Sequence, residues 1–457
     1  MADAAAGAGS WRELLSRRYR GAATVLAGGV AIYATNEFIT MSLLPSAITE
    51  IGGARLYAWV TTVYLVASVV GATTVGSVLT RFGPRRSYLG ALLSFAGGSA
   101  VCMMAPAMPV LLSGRAIQGL AGGVLAGLGY AVISAVLPER LWTRAAATVS
   151  AMWGVGTVIG PVSGGLFAQF GSWRWGFGLL LFLAVLVAFL VPLALPNRGG
   201  PATAPLAVPV WSLLLLGLAA LVVSVAALPA DPLATIALLV LAVALVLAFI
   251  AVDRRRTARV LPRAVFRPGP LKWIYLTLGL LMASTMVDMY VPLFGQRLAG
   301  LSPVIAGFLG AALSVGWTAG EIRSASVGPR LLAARVVRVA PLVMAVGLGL
   351  AALGAATPAL WAAGLVIAGA GIGMAWPHLS VWAMGSVTEP GEQAVASAAV
   401  NTVQLICGAF GAGLAGVVVN LRATPDVTVV LLTFALFTGL AMVAFVAARR
   451  ASRADEK

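Results

Sequence analysis

Four ionisable residues stand where water-soluble side chains are costly. Glu37, Arg115, Asp288 and Glu321 each lie in a long apolar run. A charged group at the centre of a membrane span costs about 2.5–3.5 kcal/mol on insertion scales, so such groups face a cavity or one another. At 1.5 Å of rise per residue, Glu37, Arg115 and Asp288 fall about 9–12 Å from the outer ends of their spans. Three ionisable groups from three distant segments therefore share one layer. A carboxyl set against a guanidinium there can hold or release a proton as its surroundings change, which is what a proton-coupled switch requires. Glu37 and Asp288 are the proton-carrier candidates, with Arg115 and Gln118 beside them on one helix face, three residues apart. A structural ion pair or an interhelical hydrogen bond is the alternative. Glu321 lies about 27 Å from the outer end of its span, a depth that suits a salt bridge or gate near the cytoplasm.

The elements that must position these groups follow from composition. Of 457 residues, 60% are hydrophobic and only 10% charged, with a mean hydropathy of +0.99. A soluble domain carries roughly 25% charged residues, so a soluble enzyme, a disordered chain and a secreted disulfide scaffold are excluded. Spans of about 20 apolar residues are expected at 22–44, 57–79, 88–106, 109–134, 145–168, 174–196, 207–228, 233–252, 271–296, 303–323, 339–356, 359–384, 394–419 and 427–447. Backbone groups in hydrocarbon must be satisfied within their own span, so the fold class is all-α, with about fourteen transmembrane helices.

The net charge of +16 comes from 30 basic and 14 acidic residues. Most of the basic residues fall in alternate connections, which places both termini in the cytoplasm by the positive-inside rule. Basic loops of this kind are a better account of the charge than nucleic acid. The Arg-, Ala- and Gly-rich usage fits a GC-rich bacterial genome. Residues 253–270 form an Arg-rich cytoplasmic linker with Pro262, Pro268 and Pro270, where a helix lying on the membrane surface could form. Gly83-Pro84-Arg85 and Gly328-Pro329-Arg330 form a faint repeat. Repeated halves with a site between them are a common transporter design.

Cys102 and Cys407 sit in apolar runs without metal or redox spacing and read as small core residues. The single histidine, His378, excludes a multi-histidine metal or haem site. No cofactor and no metal is expected. Residues 1–21 lack a short apolar region with a cleavage site and read as a cytoplasmic lead.

The motifs carry a resemblance. Gly76-Ser-Val-Leu-Thr80-Arg81-Phe-Gly83-Pro84-Arg85-Arg86 resembles the loop signature between spans 2 and 3 of the major facilitator superfamily. Leu111-Leu-Ser-Gly-Arg115-Ala-Ile-Gln118-Gly119 resembles its span 4 signature. Gly156-Thr-Val-Ile-Gly160-Pro161-Val-Ser-Gly164-Gly165 resembles the span 5 signature of its antiporters. Trp173 to Phe177, Tyr290 to Gln296 and Gln404 to Gly416 resemble the fourteen-span drug:proton antiporter branch. Two positions depart from the family. Thr80 stands where the loop signature usually has an acid that latches the cytoplasmic side. Asn36 stands where the branch usually has an aspartate, the acid being displaced by one residue to Glu37, a turn of about 100° on a helix.

The resemblance implies two six-helix bundles, 22–196 and 271–447, with an inserted helix pair at 197–252, the linker at 253–270 and a cytoplasmic tail at 448–457. It implies a gating set of Gly76, Arg81, Gly83, Arg85, Arg86 and Glu321. Polar or aromatic residues of spans 1, 5, 12 and 13 are substrate-cavity candidates: Tyr33, Asn36, Trp153, Trp376, His378, Asn401 and Gln404. The expected function is proton-coupled efflux of small amphipathic or lipophilic compounds such as drugs by alternating access. The expected partners are a small-molecule substrate, protons and membrane lipids, in a monomer of the bacterial inner membrane. A uniporter, a dedicated exporter of one metabolite or lipid, an integral membrane transferase and a channel are the alternatives.

Overall fold

The computed structural model describes residues 10–197, 209–229, 231–256, 258–324, 327, 330–354, 357–387, 392–422 and 426–453. Arg198, Gly328, Pro329 and Lys457 lie outside the described residues, as do the side chains of Thr80, Arg140 and Arg144. Every element among the described residues is helical. In chain order they are α1 (Trp11–Leu14), α2 (Arg20–Ile51), α3 (Tyr57–Met103), α4 (Met108–Val136), α5 (Glu139–Phe170), α6 (Arg174–Ala194), α7 (Val210–Val225), α8 (Pro232–Arg255), α9 (Leu271–Thr285), α10 (Val291–Leu298), α11 (Pro303–Ser324), α12 (Arg330–Leu353), α13 (Pro358–Gly385), α14 (Glu392–Val419) and α15 (Val427–Arg453).

Twelve helices among the described residues are long and apolar enough to cross a membrane, against the fourteen expected. The two that fall short do so for different reasons. The seventh expected span forms α7, of only 16 residues. At 1.5 Å per residue that is about 24 Å, less than the ~30 Å hydrocarbon core. The third is the second arm of α3, where Arg85 and Arg86 and a scatter of Gly and Ser dilute the apolar character. The eighth spans easily, as the 24 residues of α8.

The two arms of α3 meet at Gly83, whose φ of 74° and ψ of 171° break the helix. That region of backbone space is essentially reserved for glycine. Its extended ψ also suits the residue before a proline, here Pro84. Ser87 Oγ lies 2.6 Å from the Gly83 carbonyl and 3.0 Å from that of Val78, so it accommodates carbonyls released at the break.

By compactness the chain divides into one unit of Met1–Leu43 and Ala67–Leu206, and another of Leu44–Val66 and Ala207–Lys457. In the first, α5 lies against α2 through its small residues. A side chain at Gly156 would come within 2.8 Å of the Ala34 carbonyl carbon, one at Gly160 would collide with Phe38, and one at Gly164 would sit 2.9 Å from the Ile39 carbonyl oxygen. Spacing by four puts these glycines on one face and lets backbones touch. Pro161 and Gly165 are buried, and α5 runs on through Pro161.

In the second unit, Val222 and Val223 of α7 and Ala242 of α8 form a core with Phe410 and Leu414 of α14. The start of α3 is tied to the same unit. Trp59 Nε1 donates to the Ser224 carbonyl at 3.0 Å, and Ser224 Oγ bonds Thr62 Oγ1 at 2.9 Å. Asn420 Nδ2 donates to the carbonyls of Arg55 and Ala227, each at 3.0 Å.

The linker after α8 forms no surface helix among the described residues, only a 3₁₀ turn at Arg263–Phe266. Three prolines deny it helical hydrogen bonds. Asp253, wholly buried, holds it instead. The Asp253 carboxylate accepts from Ser212 Oγ at 2.7 Å and from the amides of Val260 at 2.8 Å and Leu261 at 3.0 Å.

Two consequences are measurable. Gly83→Ala forces a methyl-bearing residue into glycine-only backbone and is expected to destabilise the protein by about 1–3 kcal/mol, read as a lower melting temperature in detergent. An unchanged melting temperature would refute the kink. Gly160→Val wedges α5 off α2, costs about 1–3 kcal/mol by overpacking, and displaces Asn36 and Glu37. Transport in vesicles is expected to fall at least tenfold with the protein still in the membrane; full transport would show that the two backbones do not meet there.

Candidate functional site

In the first unit the polar residues of α2, α3 and α4 join in one buried chain. Arg115 of α4 is 2% exposed, and Asn36 and Gln118 are fully buried. Arg115 donates from one guanidinium nitrogen to Asn36 Oδ1 at 2.8 Å and to Gln118 Oε1 at 2.9 Å. Gln118 Nε2 donates to Ser99 Oγ at 2.8 Å, and Ser99 Oγ donates to the Phe95 carbonyl at 2.9 Å. Cys102 Sγ completes the shell, 3.6 Å from Gln118 Oε1. Close helix approach makes this reach feasible: a side chain at Gly98 would sit 2.8 Å from the Gln118 amide nitrogen, and one at Gly114 2.9 Å from that of Cys102.

The bond from Arg115 to Asn36 falls at the position displaced from the family pattern. A neutral amide takes the guanidinium, and the carboxylate is the next residue along. Glu37 is half-buried, while Asn36 beside it in sequence is fully buried. Asn36 Nδ2 is buried with no hydrogen-bond partner. The arrangement holds a cation in low dielectric on oxygen dipoles, with an unpartnered amide donor on Asn36 and a carboxyl on the next residue of the same helix. On the same helix Tyr33 meets Trp153 of α5 edge to face, with ring centroids 5.7 Å apart. One face of α5, at Val158, Ile159, Val162, Ser163, Leu166 and Phe167, lines an apolar hollow of about 320 Å³.

Asp288 belongs to the second unit. It is 4% exposed and sits in a 3₁₀ stretch, Met286–Tyr290, between α9 and α10. Tyr290 stacks on Tyr57, with centroids 4.6 Å apart, and on Phe294 at 6.0 Å. Tyr57 donates to the Met289 carbonyl at 3.0 Å, next to the acid.

Trp376, Asn401 and Gln404 line one hollow between α13 and α14. His378 does not line it. Its Nε2 lies 2.9 Å from Ser324 Oγ, and that hydroxyl bonds the Met374 carbonyl at 2.7 Å. A carbonyl only accepts, so the hydroxyl proton points there and His378 Nε2 is the donor to Ser324. His378 thus serves as a tie between α11 and α13. Trp317 and Trp376 lie 5.2 Å apart between the same helices.

The gating candidates divide between the units. Gly76, Arg81 and Arg86 are exposed, Arg85 is half-buried and Gly83 is the buried kink, all in the first unit. Glu321, half-buried in the last turns of α11, is in the second. Among the described residues no group of three or more metal-ligating side chains converges. Sequence reasoning missed Ser99, Ser324 and Asp253. A lone serine in an apolar helix carries little signal, and Asp253 was hidden by the arginines that follow it.

Comparison with known proteins settles the family. The model of the Major Facilitator Superfamily matches residues 26–412. The chain is 57% identical, over all of its length and 99% of the relative's, to a "probable multidrug-efflux transporter" of Mycobacterium tuberculosis. It is 25% identical to a multidrug transporter protein of Bacillus subtilis over 84% of this chain and 72% of that one. The crystal structure of a D-xylose-proton symporter shares the fold, with a TM-score of 0.67 at 15% identity, covering 94% of this chain and 97% of that one. A bacterial homologue of the lysosomal transporter Spinster does so with a TM-score of 0.68 at 13% identity, covering 96% of this chain and 98% of that one. The chain is a multi-pass membrane transporter and not an enzyme, and it belongs to the major facilitator superfamily.

Proposed function

We propose that the protein is a proton-coupled exporter of small amphipathic or lipophilic compounds, working by alternating access. The observation that carries the coupling is the buried Arg115 held by Asn36 and Gln118, with Glu37 the next residue after Asn36 on the same helix. A fixed cation held on neutral amide oxygens changes the field at a neighbouring carboxyl, whose protonation can then respond to helix movement. Asp288, buried in a broken helix, is the second carrier. The kinship with a probable multidrug-efflux transporter over the whole chain supports efflux of drug-like substrates.

The basic residues of alternate connections favour cytoplasmic termini, in the inner membrane of a bacterium. The motifs favour the fourteen-span branch, with α7 and α8 as the inserted pair and α7 as its short member. The working unit is a monomer in contact with membrane lipids. Tyr33, Asn36, Trp153, Trp376, His378, Asn401 and Gln404 are the substrate-cavity residues, with His378 acting through its hold on α11. Gly76, Arg81, Gly83, Arg85, Arg86 and Glu321 form the gating set. A membrane potential supplies about 2.3 kcal/mol per charge per 100 mV to each proton moved inward.

The test uses inverted membrane vesicles loaded by respiration and given ethidium. Uptake that stops when the pH gradient is dissipated supports antiport. Glu37→Gln is expected to lower gradient-driven uptake at least tenfold with ethidium binding retained, and Asp288→Asn to lower it several-fold. Gradient-independent uptake, or full coupling in both variants, would defeat the assignment. Transport of one metabolite and of no dye would favour the dedicated exporter.

A further inference from the structure

The hollow between α13 and α14 has a composition of its own. Trp376, Ser380 and Met384 recur every four residues on one face of α13, and Val400, Asn401 and Gln404 face them from α14. The volume is about 180 Å³. A cavity of about 150 Å³ takes one benzene ring, whereas sites for whole drug-sized ligands run to about 300–1,000 Å³. This hollow therefore fits one ring-sized group of a larger molecule.

Its polar groups are uncommitted. Many helical hydroxyls among the described residues bond the carbonyl four residues back, as Thr40, Ser42, Ser99 and Thr157 do. Ser380 does not: its Oγ is buried without a partner. A buried hydroxyl left unpaired in a native fold needs a reason. Among the described residues the amides of Asn401 and Gln404 also bond to no protein group, and three residues' separation puts them on one helix face. One hydroxyl and two amides offer donors and acceptors together. None of the six lining residues is charged. Trp376 supplies a flat aromatic surface and Met384 an adaptable thioether.

We propose that this hollow is a recognition subsite for a neutral planar ring whose edge carries both a hydrogen-bond donor and an acceptor, as in a lactam, imide or aromatic carboxamide. It selects by hydrogen bonding and stacking, without a counter-charge for a cation. The inference rests on the reading of the protein as an exporter and adds Ser380 and Met384 to its binding residues.

The full-length transporter in lipid nanodiscs is titrated with 4-aminophthalimide, a small neutral fluorescent imide, and separately with ethidium, a planar cation. Ser380→Ala and the double change Asn401→Leu, Gln404→Leu are expected to weaken the imide about three- to tenfold, the upper figure being about 1.4 kcal/mol. Ethidium is expected to change less than twofold. Asn401→Asp, nearly isosteric, keeps the packing and is expected to tilt the preference toward ethidium. Absence of imide binding in the wild type, equal losses for both probes, or no change of preference in Asn401→Asp would overturn the subsite. Gradient-driven uptake in vesicles is measured on the same variants. If the gradient drives nothing while the imide discrimination holds, the exporter reading fails and the subsite stands.

Discussion

A guanidinium buried in a membrane protein constrains everything around it. Arg115 cannot lose its proton in practice, and removing a charge from water without partners is among the largest penalties a fold can meet. Its partners are therefore fixed points. Asn36 brings α2 to it, Gln118 occupies the next turn of α4, and Ser99 brings the second arm of α3. The glycines follow from the same requirement. Gly98 and Gly114 let α3 and α4 approach until side chains as short as Gln118 and Ser99 meet. Gly156, Gly160 and Gly164 do the same for α5 on α2. Without the charge, this spacing would be a packing preference; with it, the helices are held in the register that carries the hydrogen bonds from Arg115 through Gln118 and Ser99 to the Phe95 carbonyl.

Much of the fold was legible because hydrocarbon imposes a length and a polarity that composition cannot disguise. The long apolar runs became helices, and their order held from α2 to α15. What was illegible follows from interactions that no hydropathy window contains. The carbonyls at the end of α7 are taken by Trp59 and Asn420, residues far away in sequence. The linker reads as a basic stretch fit for a membrane surface, but Asp253 turns it back by taking the amides of Val260 and Leu261. A single acid before a run of arginines looks like a surface charge until the donors that converge on it are seen.

The site was legible in its residues and less so in its pairings. Arg115 and Gln118 share a face by their spacing alone, and the structure joins them. The displaced acid was visible too, as Asn36 followed by Glu37, though not its consequence: the Asn36 amide oxygen accepts a hydrogen bond from Arg115 at 2.8 Å. Conversely, His378 and Trp376 are two residues apart and read together as one polar break beside Pro377. On a helix that separation turns them about 200° apart. Trp376 accordingly lines the hollow with Asn401 and Gln404, and His378 binds Ser324.

The charged and neutral polar groups serve different ends. A carrier that exchanges a proton for a lipophilic solute gains if the two do not compete for one group, and sharing one acid between them restricts its solutes to cations. Here the buried cation and the acid beside it lie on α2 and α4, in the first unit, whereas the uncommitted hydroxyl and amides lie on α13 and α14, in the second. Under the proposed exchange, protonation of Glu37 alters the field around Arg115 without touching the groups that grip a neutral ring. Coupling between the two then has to travel through helix movement, since a neutral solute has no charge with which to sense the proton. Backbone contact at Gly160 supplies a mechanical route for the first part of that path: α5 cannot hold its place if α2 turns to present Glu37 differently.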